Sequence, residues 1–296
     1  MPRDFTLEQL YEWCRVPVDE LAGHPGLKVP LRIVADSAEM GEVMARELID
    51  EVAAHNARGE PTRAIVPCGP MAWYEPFCRI VNAEGVSLKR LHVYHMDECL
   101  DWQGRLLPAR HPYNFRSTME RVFYGDIQAE LAVPEAQRHF LTPDNVEDLA
   151  AEIAEVSVDI TLGGWGQDGH IAYNQARRKP YSALGVEELA ASTARVQDNN
   201  LDTIIALAQR SFGAAYQFVP PMSVTLGLTE CLAAPKVRLF SDTGAWKQTA
   251  LRVALFGPVT TEYPITLLQR HGDAMLTATR ETASHPIAEH PEWELF

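Results

Sequence analysis

The stretch Val158-Asp159-Ile160-Thr161-Leu162-Gly163-Gly164-Trp165-Gly166-Gln167-Asp168-Gly169-His170-Ile171-Ala172-Tyr173-Asn174-Gln175 decides how the rest of the chain is read. Its first part is a short apolar run with β-branched residues, the composition of a strand buried on both faces. Four glycines follow within residues 163–169. They let the backbone adopt positive φ and approach a ligand closely, and Gly164 and Gly166 are candidate anion-binding positions through backbone N–H groups. Asp168 and His170 flank one glycine, so the acid can orient the imidazole or share its proton, giving a base poised near neutral pH. The spacing is not the GxGxxG dinucleotide fingerprint, and no Walker Lys-Ser/Thr follows. Read in isolation, the segment is equally a glycine-rich turn with one solvated histidine.

Outward from this segment, β-rich apolar runs alternate with helical patterns. Strands are expected at 31–35, 64–66, 91–96, 223–227, 236–240 and 274–279. Between the first two lies a stripe of Met40, Val43, Met44, Leu48, Ile49 and Val52 at helical spacing, with Ser37 placed to cap it. Pro70 is placed as the first residue of a further helix. Other helical patterns cover residues near 146–155 and 244–256. Buried strands alternating with amphipathic helices predict an α/β fold: one doubly wound, mostly parallel, Rossmann-like sheet with helices on both faces. Residues 1–28 read as an N-terminal extension with a short helix around 7–14, and residues 29–296 as a single domain.

In such sheets ligands bind beyond the carboxyl ends of the strands. The strand at 91–96 runs into Asp97-Glu98, and a carboxylate there can serve as a general base if it reaches a substrate C–H. The plainer alternative is a loop acid that caps a helix or stays solvated. Arg195 and Lys247 are isolated cations, each able to hold an anion or to lie as a surface charge.

Across 296 residues, 26 Lys and Arg face 40 Asp and Glu, a formal charge of −14. Nucleic acid and anionic membranes are therefore poor partners, and an anionic substrate needs a few local cations against the overall field. The 46% hydrophobic and 22% charged content fits a folded globular chain, not a disordered one. No apolar run approaches a membrane span, and the N-terminus has no signal pattern. Five widely spaced cysteines give neither a disulfide framework nor a CxxC pair. These features predict a cytoplasmic protein with no metal site. The absence of a Gly-x-Ser-x-Gly elbow leaves an α/β-hydrolase triad unsupported.

Taken together, residues 30–280 resemble the glucosamine-6-phosphate deaminase/isomerase family, related to the 6-phosphogluconolactonases. The family reads Gly-Gly-x-Gly-x-Asp-Gly-His-Ile-Ala-Phe-Asn where this chain has residues 163–174. Met96-Asp97-Glu98 and the His-Pro…Ser-x-Met run at 111–119 follow the same order. Ile171–Asn174 favours the deaminase branch over the lactonase branch. The resemblance implies conversion of an amino-sugar phosphate to fructose 6-phosphate and ammonia, without a cofactor. It implies that Asp97 moves a proton between C2 and C1, and that Asp168 and His170 assist ring opening. It implies that Arg195 and Lys247 hold the phosphate; the family forms assemblies of several sizes, so the oligomeric state stays open, a homo-oligomer among the options.

Two departures from the pattern stand out. Gln175 replaces the family's Glu, removing a charge that would help to keep a neighbouring imidazole protonated; restoring it as Gln175→Glu is expected to raise deaminase activity. The phosphate turn, usually Thr-Gly-Ser/Thr-Pro, here reads Pro67-Cys68-Gly69-Pro70-Met71. It keeps Gly69 and Pro70 but lacks the hydroxyl, so binding there falls to helix N-terminal amides. The alternatives are a lactone hydrolase using His170 on water, an enzyme acting on another sugar derivative, and a non-catalytic sugar-phosphate sensor.

Overall fold

The computed structural model describes residues 4–176 and 184–296. Among the described residues, ten strands form two sheets: β1 (Leu31–Val34), β2 (Thr62–Val66), β3 (Leu91–His95), β4 (Asp97–Leu100), β5 (Arg138–His139), β6 (Ile160–Gly164), β7 (Arg195–Asp198), β8 (Met222–Thr225), β9 (Lys236–Ser241) and β10 (Ala274–Thr279). Seven run in the order β1-β10-β9-β6-β2-β3-β5, every neighbouring pair parallel. The helices used below are α1 (Leu7–Cys14), α2 (Val18–Leu21), α3 (Ser37–Arg58), α4 (Tyr74–Glu84), α5 (Phe115–Met119), α6 (Val146–Val156), α7 (Val186–Ala190), α8 (Leu201–Ser211), α9 (Leu228–Cys231) and α10 (Gln248–Phe256).

The parallel sheet is buried on both faces because alternate residues point opposite ways. Ala64, Val66, Val93 and Ile160 enter one apolar cluster with Met40, Met44 and Phe77. Ile65, Tyr94, Val237 and Leu239 enter the other, with Leu251 and Leu255. This is the α/β arrangement expected from the sequence. Helix α3 closes one face: Met40, Met44, Leu48, Ile49 and Val52 are buried, and Gly59 ends it at φ 75°, where glycine adds no Cβ penalty.

Several expectations change in detail. Asp36, not Ser37, caps α3, its carboxylate accepting from Glu39 N at 3.0 Å. Pro70 does not open a helix; residues 67–71 form a loop, and α4 starts at Tyr74. The strand expected at 223–227 is β8 and lies outside the main sheet. It is the middle strand of an antiparallel sheet, β4-β8-β7, with Asp97 and Arg195 each paired to Thr225. Asp97 and Glu98 therefore sit on a strand, not in a loop. Strands β4, β5 and β7 are two to four residues long, too short to give a period-2 signal.

Topology fixes where a ligand can bind. From β2 the chain builds outward through β3 to β5, then returns to the other side of β2 with β6 and continues to β9 and β10. The order reverses between β2 and β6. At that switch point the loops leaving the two carboxyl ends diverge and open a crevice.

Candidate active site

A cleft of about 180 Å³ lies at this switch point, with a side chamber of about 130 Å³. The loop after β2 supplies Pro67, Cys68, Gly69 and Pro70; the end of β3 and start of β4 supply Met96 and Asp97. The loop after β6 supplies Trp165, His170 and Tyr173, and the segment after β9 supplies Asp242, Thr243 and Lys247. Helix α8 adds Arg210. Asp97 and His170, 73 residues apart in sequence, thus face one cavity.

The two adjacent acids have separate roles. Glu98 is buried and accepts from the amides of Cys99 (3.0 Å), Phe115 (2.7 Å) and Arg116 (2.7 Å), so it anchors the N-terminus of α5. Asp97 faces the cleft, and its carboxyl is pushed up to about 8, first by burial and then by the neighbouring Glu98 charge. A carboxylate titrating near neutrality in a partly dry site is a stronger base than an exposed one.

His170 stands against Asp168, Nδ1 to Oδ1 at 2.6 Å. Asp168 is fully buried, and burial alone would raise its pKa. The His170 charge and hydrogen bonds from His170, Asn200 (2.8 Å) and Ala176 N (3.0 Å) outweigh that and hold it well below the usual carboxylate range. With Nδ1 engaged, Nε2 is the ring nitrogen left for the cleft. Tyr173 stacks parallel to the imidazole, centroids 6.0 Å apart. Gly166 is obligatory here, because a Cβ at that position would overlap the imidazole ring. Gly169, at φ 73°, makes the turn, and a Cβ there would press on Ile265 at 2.9 Å.

Of the residues expected from the sequence, Asp97, His170, Gly69, Pro70, Gly164 and Lys247 line the cleft, and Gly166 lines the side chamber. Asp168 lies directly behind His170. Two lie elsewhere. Arg195 donates to Asn174 Oδ1 (2.9 Å) and Thr193 O (3.0 Å), bracing the turn after His170 from outside the cavity. Gln175 is buried away from His170. Its Oε1 accepts from Asn200 N and from Thr203 Oγ1 (3.1 Å), while Nε2 donates toward Tyr173 O, Asp198 O and Asn199 Oδ1 at 3.4, 3.4 and 3.5 Å. A carboxylate at 175 would turn an oxygen onto three oxygens, reversing the gain expected from Gln175→Glu.

The cation that the sequence did not reveal is Arg210. It stands in the last turn of α8, unmarked by any local motif, and only the fold carries it to Lys247. Neither residue is ion-paired among the described residues. Lys247 is lowered to about 8, first by burial and then by the Arg210 charge, which Asp242 opposes in part. Two cations this close, neither in an ion pair among the described residues although Asp242 lies beside Lys247, are able to hold an anion. Among the described residues, no group of three His, Cys, Asp or Glu side chains is placed to hold a metal ion.

No family model matches the chain. It is similar to the glucosamine-6-phosphate deaminase of Serratia proteamaculans, 29% identical over 259 residues that cover 84% of this chain and 88% of that protein. The glucosamine-6-phosphate deaminase of Yersinia pseudotuberculosis matches with the same identity and coverage. Among solved structures, a monomeric glucosamine-6-phosphate deaminase, described as a missing link of the NagB superfamily, superposes with a TM-score of 0.71. It is 19% identical and covers 86% of this chain and 98% of its own. The 6-phosphogluconolactonase of Thermotoga maritima superposes at 0.57, with 14% identity over 84% of this chain and 98% of its own. The resemblance and the fold class read from the sequence are borne out by these relatives, all of them enzymes.

Proposed function

We propose that this chain, a diverged homologue of the glucosamine-6-phosphate deaminases, is a ketol isomerase and deaminase of glucosamine 6-phosphate or a near amino-sugar phosphate. The observation that carries this reading is the shared cleft: one carboxylate base, one carboxylate-backed imidazole and two cations without ion-pair partners among the described residues.

Arg210 and Lys247 hold the phosphate and fix the sugar against the strand ends. His170 takes the proton of the C1 hydroxyl and passes it to the ring oxygen through Nε2, with Asp168 stabilising the imidazolium between the two transfers, and the ring opens to the aldehyde. Asp97 then removes the proton from C2 while the C1 carbonyl oxygen takes the proton given up by the 2-ammonium, and the resulting enolamine accepts a proton from Asp97 at C1. The nitrogen on C2 is left as an imine, and water replaces it to release ammonia and fructose 6-phosphate. Each step needs a base or an acid at a stated atom, the roles for which Asp97 and His170 are held. The turn at residues 67–71 lacks a hydroxyl, so the two side-chain cations carry most of the phosphate affinity. The five cysteines are free thiols, which fits a cytoplasmic setting.

The test is a substrate panel. Glucosamine 6-phosphate should release ammonia and stabilise the protein to heat, and unphosphorylated glucosamine should do neither at the same concentration. Hydrolysis of 6-phosphogluconolactone without ammonia release would replace this reading with the lactonase one. Thermal stabilisation without turnover of either compound would replace it with a sensor.

A further inference from the structure

The loop that carries the imidazole and the helix that carries the arginine meet at one side chain. Asn200 Nδ2 donates to Asp168 Oδ2 at 2.8 Å, the oxygen opposite the one that holds His170. Its Oδ1 caps α8 by accepting from Thr203 N at 2.9 Å, and its own amide donates to Gln175 Oε1. Gln175 also accepts from Thr203 Oγ1, and Gln167 donates to Asp202 O. The first turn of α8 is therefore gripped by both ends of the His170 loop. About 15 Å farther along the same helix, at 1.5 Å per residue, Arg210 enters the cleft beside His170.

We propose that Asn200 is a positioning residue that ties the proton-transferring Asp168–His170 pair to the helix presenting the anion-binding Arg210, so that the two halves of the site are set together. The proposal rests on the reading that His170 transfers a proton. One amide does two jobs here. It keeps Asp168 Oδ2 satisfied, leaving Oδ1 for the imidazole, and it fixes the start of the helix whose far end meets the phosphate. In metal sites, removing the partner that orients a ligating histidine typically costs 10–100-fold in affinity or activity, and an effect of about the lower figure is expected for Asn200, which acts through Asp168. The charged groups that face His170 are Asp168 from its own loop, Asp97 from β4, Arg210 from α8, and Asp242 and Lys247 after β9.

Two substitutions separate this role from simple helix capping, because Ser and Asp cap as well as Asn does. Asn200→Ser cannot reach Asp168; Asn200→Asp sets a second carboxylate against it. Two readouts apply to the full chain. The first is the His170 ring titration by NMR, assigned with His170→Gln. The second is kcat and KM for glucosamine 6-phosphate. In Asn200→Asp the two carboxylates set against each other compete for one proton, so the His170 titration should no longer follow the wild-type curve. Asn200→Ser should lower Tm by the few degrees that the lost hydrogen bond to Asp168 costs, and in addition lower kcat by about 10-fold or more and raise KM at temperatures where the variant is folded. Wild-type titration and wild-type kcat in both variants would reduce Asn200 to a helix cap and overturn the proposal. If the wild-type protein releases no ammonia, the proposed function fails, while the His170 titration still decides the role of Asn200.

Discussion

Asp97 and Lys247 titrate in the same range from opposite directions: burial raises the carboxyl to about 8 and lowers the ammonium to about 8. A base must be ionised to act and an ammonium protonated to hold phosphate. The pH profile of kcat/KM should therefore be a narrow bell centred near pH 8, its acid limb Asp97 and its alkaline limb Lys247. An acid limb near pH 4 would remove Asp97 from the role of base. Stability follows the same group. The folded state holds Asp97 protonated above its unfolded value of 3.8, so its contribution to stability falls as pH rises from about 4 to about 8. Asp97→Asn should abolish turnover and flatten the dependence of Tm on pH over that window. At Gln175, the three oxygens facing Nε2 lead to a second expectation: Gln175→Glu lowers Tm and does not raise deaminase activity. A gain in ammonia release would place the missing charge back at the centre of ring opening. Asp168, His170 and Asp97 were legible in the sequence because each sits at a strand end inside a motif. Arg210 was not, because its role comes from the position of α8 and not from its neighbours.

At the level of elements, the site is held by short pieces that anchor one another. Glu98 joins β4 to α5 through three backbone amides, two of them on Oε1. Glu98→Gln keeps the acceptor on Oε1 and loses the one on Oε2, a cost of about 1–3 kcal/mol. Unfolding followed by circular dichroism should therefore show a Tm several degrees lower. The same change removes the negative charge beside Asp97, so the acid limb of the pH profile should move down. An unmoved limb would mean that burial alone sets Asp97. The long parallel strands and α3 were legible because their periods are sustained over many residues. The antiparallel sheet was not, since β4 and β7 are four residues each and their pairing with β8 is a tertiary fact. That sheet sets Asp97, Thr225 and Arg195 side by side, and the cation that the resemblance assigned to the phosphate here donates to Asn174.

Over the whole molecule, the parallel sheet places four strand ends around one crevice, and α1 packs against α10 and the C-terminal segment. Phe5 packs on Trp13 (centroids 5.3 Å) and Tyr263 (6.3 Å), while Arg252, buried in α10, donates to Val16 O. Cys14 and Leu21 are fully covered. Residues 4–28, part of what the sequence read as an extension, are thus packed on the body along α1 and α2. At about 1.5–3 kcal/mol per large buried side chain, removing residues 1–28 should cost several kcal/mol and lower Tm by about 10 °C or more; an unchanged Tm would make them a dispensable appendage. Among the described residues no helix is long and apolar enough to cross a membrane. The most direct measurement of the central claim is turnover of glucosamine 6-phosphate in heavy water. The wild-type chain should release ammonia and give fructose 6-phosphate with deuterium at C1, and Asp97→Asn should do neither while still being stabilised by the sugar phosphate. Solvent label at C1 undiminished in Asp97→Asn, or ammonia released by Asp97→Asn at the wild-type rate, would contradict it.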